Sequence, residues 1–250
     1  MLFDSITSSF FAEKSVLDVS DLVQWKRSQG SYNVEKLPKT AIITLNKHLI
    51  SKKVRLFSKK IKGITGDNYL INSDVVVCTN FGNGAPAMVG VLEELRVLGV
   101  THFMFIGLAG SLDANYAEGD CCVVTETFSA TGSAAFYNEN KTIYPIENEW
   151  FKNIKTKLNF KPTSCWSTDA PFRETPSLIE HYADKGAKHV DMECAAIYAF
   201  AKFYQLNALC VLVTADSFLE GKWMPPKNNG LLRKHLQNTL KICLKLVKNG

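Results

Sequence analysis

Four stretches of this 250-residue chain are nearly unbroken apolar runs of strand length: DVVVCT at 74–79, HFMFI at 102–106, CCVVTE at 121–126 and ALCVLVT at 208–214. A strand with water on one side alternates polar and apolar residues, whereas one buried on both faces has no polar face to show. Residues 40–44 (TAIIT) and 162–167 supply two further strand candidates. Helical patterns lie between them. APAMVGVLEELRVL at 85–98 has Pro86 in its first turn and Gly99 beyond its end. MECAAIYAFAKFY at 192–204 is apolar almost all round, which predicts a buried helix. Residues 231–248 carry apolar positions at helical spacing and a basic outer face. Strands alternating with helices predict an α/β fold, with one mixed β-sheet flanked by helices on both faces. Residues 1–38 read as an N-terminal extension packed on a single domain spanning 39–250, with Ser20 capping a helix that Gly30 closes.

A chain of this length buries roughly three quarters of its unfolded surface, so no disulfide or metal is needed to hold it. The seven cysteines are odd in number and form no C-x-x-C. Cys121 and Cys122 are adjacent in a strand and point to opposite faces. Reduced, buried thiols are expected, with no residue assigned to a metal. No apolar run reaches the ~18 residues of a membrane span. The start, MLFDSITSSFFAEK, lacks the basic region and long apolar core of a signal peptide, so a cytoplasmic protein is expected.

The net charge of +5 is unevenly spread: 52–62 hold six bases and no acid, and 221–250 hold seven Lys and Arg and no acid. No helix-turn-helix, zinc-finger or aromatic RNA-binding pattern accompanies them. They read as solvated helix faces, not as a nucleic-acid surface.

In open α/β sheets ligands bind beyond the carboxyl ends of the strands, where connecting loops gather. Four segments stand there. In NFGNGAP (80–86), Gly82 and Gly84 allow close backbone approach, and the helix that follows offers free N–H groups to an anion. A tight strand-to-helix turn needs glycine for geometry too, and neither common nucleotide motif is matched. GLAGS (107–111), with Ala109 and Gly110, leaves room for a flat ligand or for close strand packing. STDAPFRE (167–174) sets the Phe172 ring beside the Arg173 cation, as a binder of planar bases needs, or makes an ordinary turn with a salt bridge. VDME (190–193) opens the apolar helix and TADS (214–217) ends a buried strand. Asp191 reads as the helix cap, and Glu193 is then available to accept from a pair of hydroxyls. Asp216 is the strongest acid candidate, with a capping role as its alternative.

Taken in order, these segments resemble the nucleoside phosphorylase family, which includes purine nucleoside phosphorylases, uridine phosphorylases and methylthioadenosine nucleosidases. NFGNGAPAMVGVLEELRVLGVTHFMFIGLAGSL is similar to its central turn–helix–strand block, and VDMECAAIYAFAKFYQLNALCVLVTADS to its ribose-binding helix and acid-bearing strand. The likeness runs from about residue 40 to the C-terminus and implies a mixed sheet assembled as a homodimer or a trimer of dimers. It implies that Glu193 holds the ribose hydroxyls, Met192 packs beside the sugar, and Asp216 serves N7 of a purine leaving group. Phe172, Arg173, Ala109 and Gly110 would then surround the base.

The same comparison shows departures. Phe105 stands where phosphorolytic members carry a phosphate-binding arginine, and Leu108 where they carry a phosphate-contacting Ser or Thr. Leu45, Asn46, Lys47 and His48 replace the family's phosphate loop. Lys47 and His48, with Gly82 and Gly84, are the substitutes expected for binding phosphate. An apolar wall of Phe105 and Leu108 would instead exclude phosphate and leave water to attack. The expectation is a nucleoside phosphorylase, a pentosyltransferase of purine salvage that uses phosphate as co-substrate and needs no cofactor. A hydrolytic nucleosidase and a non-catalytic nucleoside-binding protein are the alternatives, because a fold does not fix a function.

Overall fold

The computed structural model describes residues 13–45, 49–50, 52–71 and 73–248. Along the chain run helix α1 (Val19–Ser28), strand β1 (Thr40–Ile43), helix α2 (Lys52–Phe57), strands β2 (Lys59–Ile61), β3 (Asp67–Ile71) and β4 (Val75–Thr79), and helix α3 (Ala85–Val97). Strands β5 (His102–Ser111) and β6 (Cys121–Ala130), the short helix α4 (Gly132–Ala135), strand β7 (Thr142–Ile143), helix α5 (Glu149–Leu158) and strand β8 (Lys161–Thr168) follow. The last part holds a 3-10 turn (Pro171–Arg173), α6 (Pro176–Asp184), β9 (His189–Asp191), α7 (Cys194–Phe203), β10 (Asn207–Leu219), β11 (Lys222–Met224) and α8 (Asn229–Lys248).

The strands join in the order β11-β10-β6-β8-β9-β5-β1-β4-β3-β2, with β7 beside β6, and β5 also pairs with β10. That extra pairing closes β5, β9, β8, β6 and β10 into a ring, from which β1, β4, β3 and β2 fan out as an open sheet. Strands β5 and β10 run parallel from His102 opposite Asn207 to Ala109 opposite Thr214; the register then shifts, so that Gly110 faces Asp216. Strand β9 ties the ring shut, antiparallel to β5 through Gly110 and Val190 and parallel to β8 through Ser167 and Asp191.

The apolar runs are explained by what covers them. Phe103 and Phe105 of β5 face a core that contains Met88 and Leu92 of α3 and Tyr198 and Phe200 of α7. Met104 and Ile106 face the other side, with Phe151 and Ile154 of α5 and Leu236 and Leu240 of α8. Each such side chain contributes about 1.5–3 kcal/mol on burial, which favours covering both faces. The result is the expected mixed sheet with helices on both sides.

Several local expectations are corrected. Asp18, not Ser20, caps α1: its carboxylate accepts from the Ser20 N–H at 2.8 Å. Residues 107–111 are strand rather than loop, because β9 and β10 supply ladder partners there. The basic stretch 52–62 is split between α2 and the edge strand β2, where Lys59 and Lys60 are exposed and Ile61 is buried. All seven cysteines are free thiols. Helix α1 docks on α3: Val23 is buried, Lys26 Nζ meets Glu94 at 2.9 Å, and the Tyr32 hydroxyl donates to Glu94 at 2.6 Å.

Candidate active site

The end of β9 prepares the start of α7. The Asp191 carboxylate accepts from the N–H groups of Glu193 (3.1 Å) and Cys194 (2.8 Å), and from the Ser167 hydroxyl at 2.5 Å. Ser167 Oγ in turn accepts from the Ala195 N–H at 3.0 Å. Asp191 therefore satisfies the helix N-terminus, which would otherwise leave orphan donors in the core. Glu193 is freed from capping. It is only 3% exposed, and its Oε1 accepts the Gly84 N–H at 2.6 Å. Burial first, and then the charge of Asp191, raise the Glu193 carboxyl well above the ordinary range.

The glycine turn makes this approach possible. Gly84 has φ +86°, and a Cβ there would stand 3.6 Å from Met192 Cε. The N–H that the sequence offers to an anion is thus already given to Glu193, which corrects the expectation that Gly84 is free to bind phosphate. Gly82 shares the left-handed geometry at φ +109° but does not line the cleft.

Asp216 reaches the same cleft from β10. A Cβ on Gly110 would lie 3.1 Å from Asp216 Oδ1 and 2.5 Å from the Phe218 ring, so the bare glycine leaves space for both. The indole Nε1 of Trp223 donates to Asp216 Oδ2 at 2.6 Å across the β10–β11 hairpin. The cleft has a volume of about 1080 Å³ and is walled by the ends of β1, β5 and β10, the 3-10 turn and the start of α7. Small-molecule sites commonly occupy about 300–1,000 Å³.

Met192, Glu193, Ala109, Gly110, Phe172 and Asp216, all named from the sequence, line this one cleft. Phe172 is 99% exposed at its rim. Arg173 is exposed and lies outside the lining. Lys47 and His48 fall outside the described residues, although Leu45 and Leu49, on either side of them, are in the wall. The apolar wall assigned to Phe105 and Leu108 is corrected to Leu108 alone. Leu108 is 38% exposed in the cleft, whereas Phe105 is 1% exposed in the core under Gly107, whose Cβ would stand 2.5 Å from the Phe105 ring.

Two residues were given no role from sequence. Trp223 is 59% exposed in a strand too short to announce itself. Glu174 follows the 3-10 turn and lines the cleft half-buried; burial, and after it the charge of Asp216, raise its carboxyl to about 7. The titratable groups in the described wall are Glu174, Asp191, Glu193 and Asp216, all carboxyls.

The chain belongs to the phosphorylase superfamily, whose family model matches residues 42–246. It is 23% identical over 196 residues to a DeoD-type purine nucleoside phosphorylase of Thermoanaerobacter sp. (strain X514), covering 76% of this chain and 83% of the relative. It is 21% identical to a guanosine phosphorylase of Halorubrum lacusprofundi, covering 71% of this chain and 76% of the relative. Among solved structures, purine nucleoside phosphorylase from Toxoplasma gondii superposes with a TM-score of 0.71 at 19% identity, over 86% of this chain and 92% of the other. Futalosine hydrolase of Helicobacter pylori superposes with a TM-score of 0.67 at 17% identity, over 86% of this chain and 100% of the other. Phosphorylases and a hydrolase thus share this fold.

Proposed function

We propose that this protein cleaves the N-glycosidic bond of a purine-type nucleoside and transfers the pentosyl group to phosphate. The observation that carries the reading is the meeting of Glu193 and Asp216 in one cleft, which is large enough to admit a nucleoside. Breaking the bond builds positive charge on the ribose and negative charge on the departing base. Glu193 accepts from the ribose hydroxyls, Met192 lies against the sugar, and Phe172, Ala109 and Gly110 border the base. The Asp216 side of the cleft serves the leaving nitrogen, where general acid catalysis is worth about 10²–10⁴ in rate. Phosphate as co-substrate is supported by the phosphorylases among the relatives. It is supported further by the two cleft-lining flanks of the segment that carries Lys47 and His48. The reading includes a purine-salvage role in the cytoplasm, a homodimer or a trimer of dimers, and no separate cofactor.

A second reading, hydrolysis by water, is favoured by the described wall. Four carboxyls and Leu108 line it, and the Gly84 N–H is committed to Glu193. Burying a phosphate dianion beside such groups is costly, and water carries no such penalty.

The deciding experiment follows release of free base from adenosine, inosine, guanosine, methylthioadenosine and uridine, each with and without phosphate. Phosphorolysis requires phosphate, favours the purines, yields ribose 1-phosphate and is impaired by Lys47→Ala. Equal rates without phosphate, with free ribose as product, establish hydrolysis. Nucleoside binding without turnover identifies a binding protein, and neither binding nor turnover defeats both readings.

A further inference from the structure

Asp216 can meet a base only through an oxygen that the protein leaves open, and the hairpin that follows it decides which one. Glu220 (φ +54°) and Gly221 (φ +68°) make a two-residue turn with left-handed backbone at both positions, the geometry that returns a strand in tight register. Leu219 then pairs with Lys222, Phe218 with Trp223 and Ser217 with Met224. Side chains alternate along a strand, so Asp216 and Phe218 share a face, and Trp223, opposite Phe218, is the diagonal neighbour of Asp216. The indole is long enough to span that diagonal, and its Nε1 donates to Oδ2 at 2.6 Å. We propose that Trp223 sets the base preference of the site by withholding Oδ2, so that Asp216 reads a purine through Oδ1 alone. The proposal rests on the nucleoside-cleaving reading above, which puts N7 of the base against Asp216.

The two oxygens differ in what surrounds them. The indole that donates to Oδ2 also lines the cleft, so its ring covers that oxygen on the side from which a ligand arrives. Oδ1 is the opposite case. Among the described residues it has no hydrogen-bond partner, and it lies over Gly110, where a Cβ would stand 3.1 Å away. The shift of register that pairs Asp216 with Gly110 therefore sets Oδ1 over the one residue type that leaves it open.

The consequence is chemical. In adenine the 6-amino group lies beside N7, and a carboxyl with both oxygens open engages the two together, one oxygen at N7 and the other accepting from the amino group. A 6-oxo purine sets a carbonyl oxygen at that second place, where two acceptors would face each other unpaired, so such a carboxyl discriminates against it. With Oδ2 given to Trp223, Asp216 keeps the contact at N7 and loses the one that tells amino from oxo. Trp223 is thus a positioning residue, acting on the base through Asp216, and it widens the range of purines the cleft accepts.

The test compares adenosine with inosine in the full chain. Trp223→Phe removes the indole donor and Trp223→Leu removes the ring as well; both changes fall in the exposed edge strand β11. In each variant the kcat/KM ratio of adenosine to inosine should rise roughly fivefold, the worth of one added hydrogen bond. Calorimetry should show the same change in the affinities for free adenine and hypoxanthine. A merely structural loss lowers both substrates alike and leaves the ratio in place. A ratio that stays in place in either variant, or moves towards inosine, overturns the proposal while turnover upholds the functional reading. If the wild type binds the bases but cleaves no nucleoside, the functional reading fails, and the binding ratio still decides the role of Trp223. Binding of neither base, with no turnover, defeats both.

Discussion

The N–H of Gly84 meets Oε1 of Glu193 at 2.6 Å, joining residues 109 positions apart. One end of this bond sits in the turn between β4 and α3, the other at the mouth of α7. The bond fixes the carboxylate assigned to ribose without using any side chain of the turn. The geometry of the turn and the aim of the carboxylate are therefore a single property.

Gly84→Ala tests this link. The new Cβ must sit at φ +86° and ψ 167°, a region essentially confined to glycine, at a cost on the order of 1–3 kcal/mol. Its contact with Met192, at 3.6 Å, is ordinary, so the strain comes from the backbone. Thermal unfolding should show that loss, and nucleoside affinity should fall with it. Unchanged affinity in a destabilised protein would separate the turn from the site.

Glu193→Ala should weaken nucleoside binding by about tenfold or more while sparing free base, since a hydrogen bond to a charged group contributes about 1.5–3 kcal/mol. The raised pKa adds a second signature. Ribose hydroxyls donate to the ionised form, so binding at neutral pH should release a proton. Calorimetry in two buffers of different ionisation heat reads this directly. Heats that are independent of buffer would count against the assignment.

His189 predicts an acid limit to stability. Its ring is fully buried between the hydroxyls of Thr163 (2.7 Å) and Thr214 (2.9 Å), and burial lowers its pKa from 6.5 to about 4. The unfolded chain takes up the proton first, so stability is complete above about 6.5 and is lost as pH falls towards about 4. The loss is on the order of 3 kcal/mol. Urea unfolding at neutral and acid pH should show a flatter dependence in His189→Gln than in the wild type. Identical slopes would remove His189 as the cause.

Much of the fold is legible where a side chain reports its own burial. Strands β1, β4, β5 and β10 and helices α3 and α7 show themselves through continuous apolar residues. The short strands β2, β7, β9 and β11 do not, because their partners, rather than their composition, make them strands. The same holds for 107–111, where small residues read as a loop until β9 and β10 are in place. In the site, Glu193 and Asp216 stand out as carboxyls at the ends of apolar segments. Phe105 and Leu108 illustrate a missed inference. They are three residues apart on one strand and so must face opposite sides, which denies them a common wall. Trp223 was out of reach, since only the hairpin returns it to Asp216.

Trp223→Phe isolates that last contact. It keeps an aromatic ring in the cleft wall and removes the one donor to Asp216 Oδ2 found among the described residues. With the ring this exposed, the bond should be worth about 1 kcal/mol, so kcat should fall by roughly fivefold. Melting temperature should stay near the wild-type value. An unchanged kcat and pH profile would make the indole a bystander.

The shift of register in β10 has a consequence for how such a site can change. Val211, Val213 and Ala215 share one side of the strand, and Cys210 and Leu212 share the other. Even-number parity would put Asp216 with the second set. The pairing instead passes from Thr214–Ala109 to Asp216–Gly110, so one residue goes uncounted and parity reverses from there onward. Asp216 thus comes to the side of Ile106 and Leu108. One residue gained or lost after Thr214 would exchange the set of side chains offered to the cleft while every upstream residue kept its place.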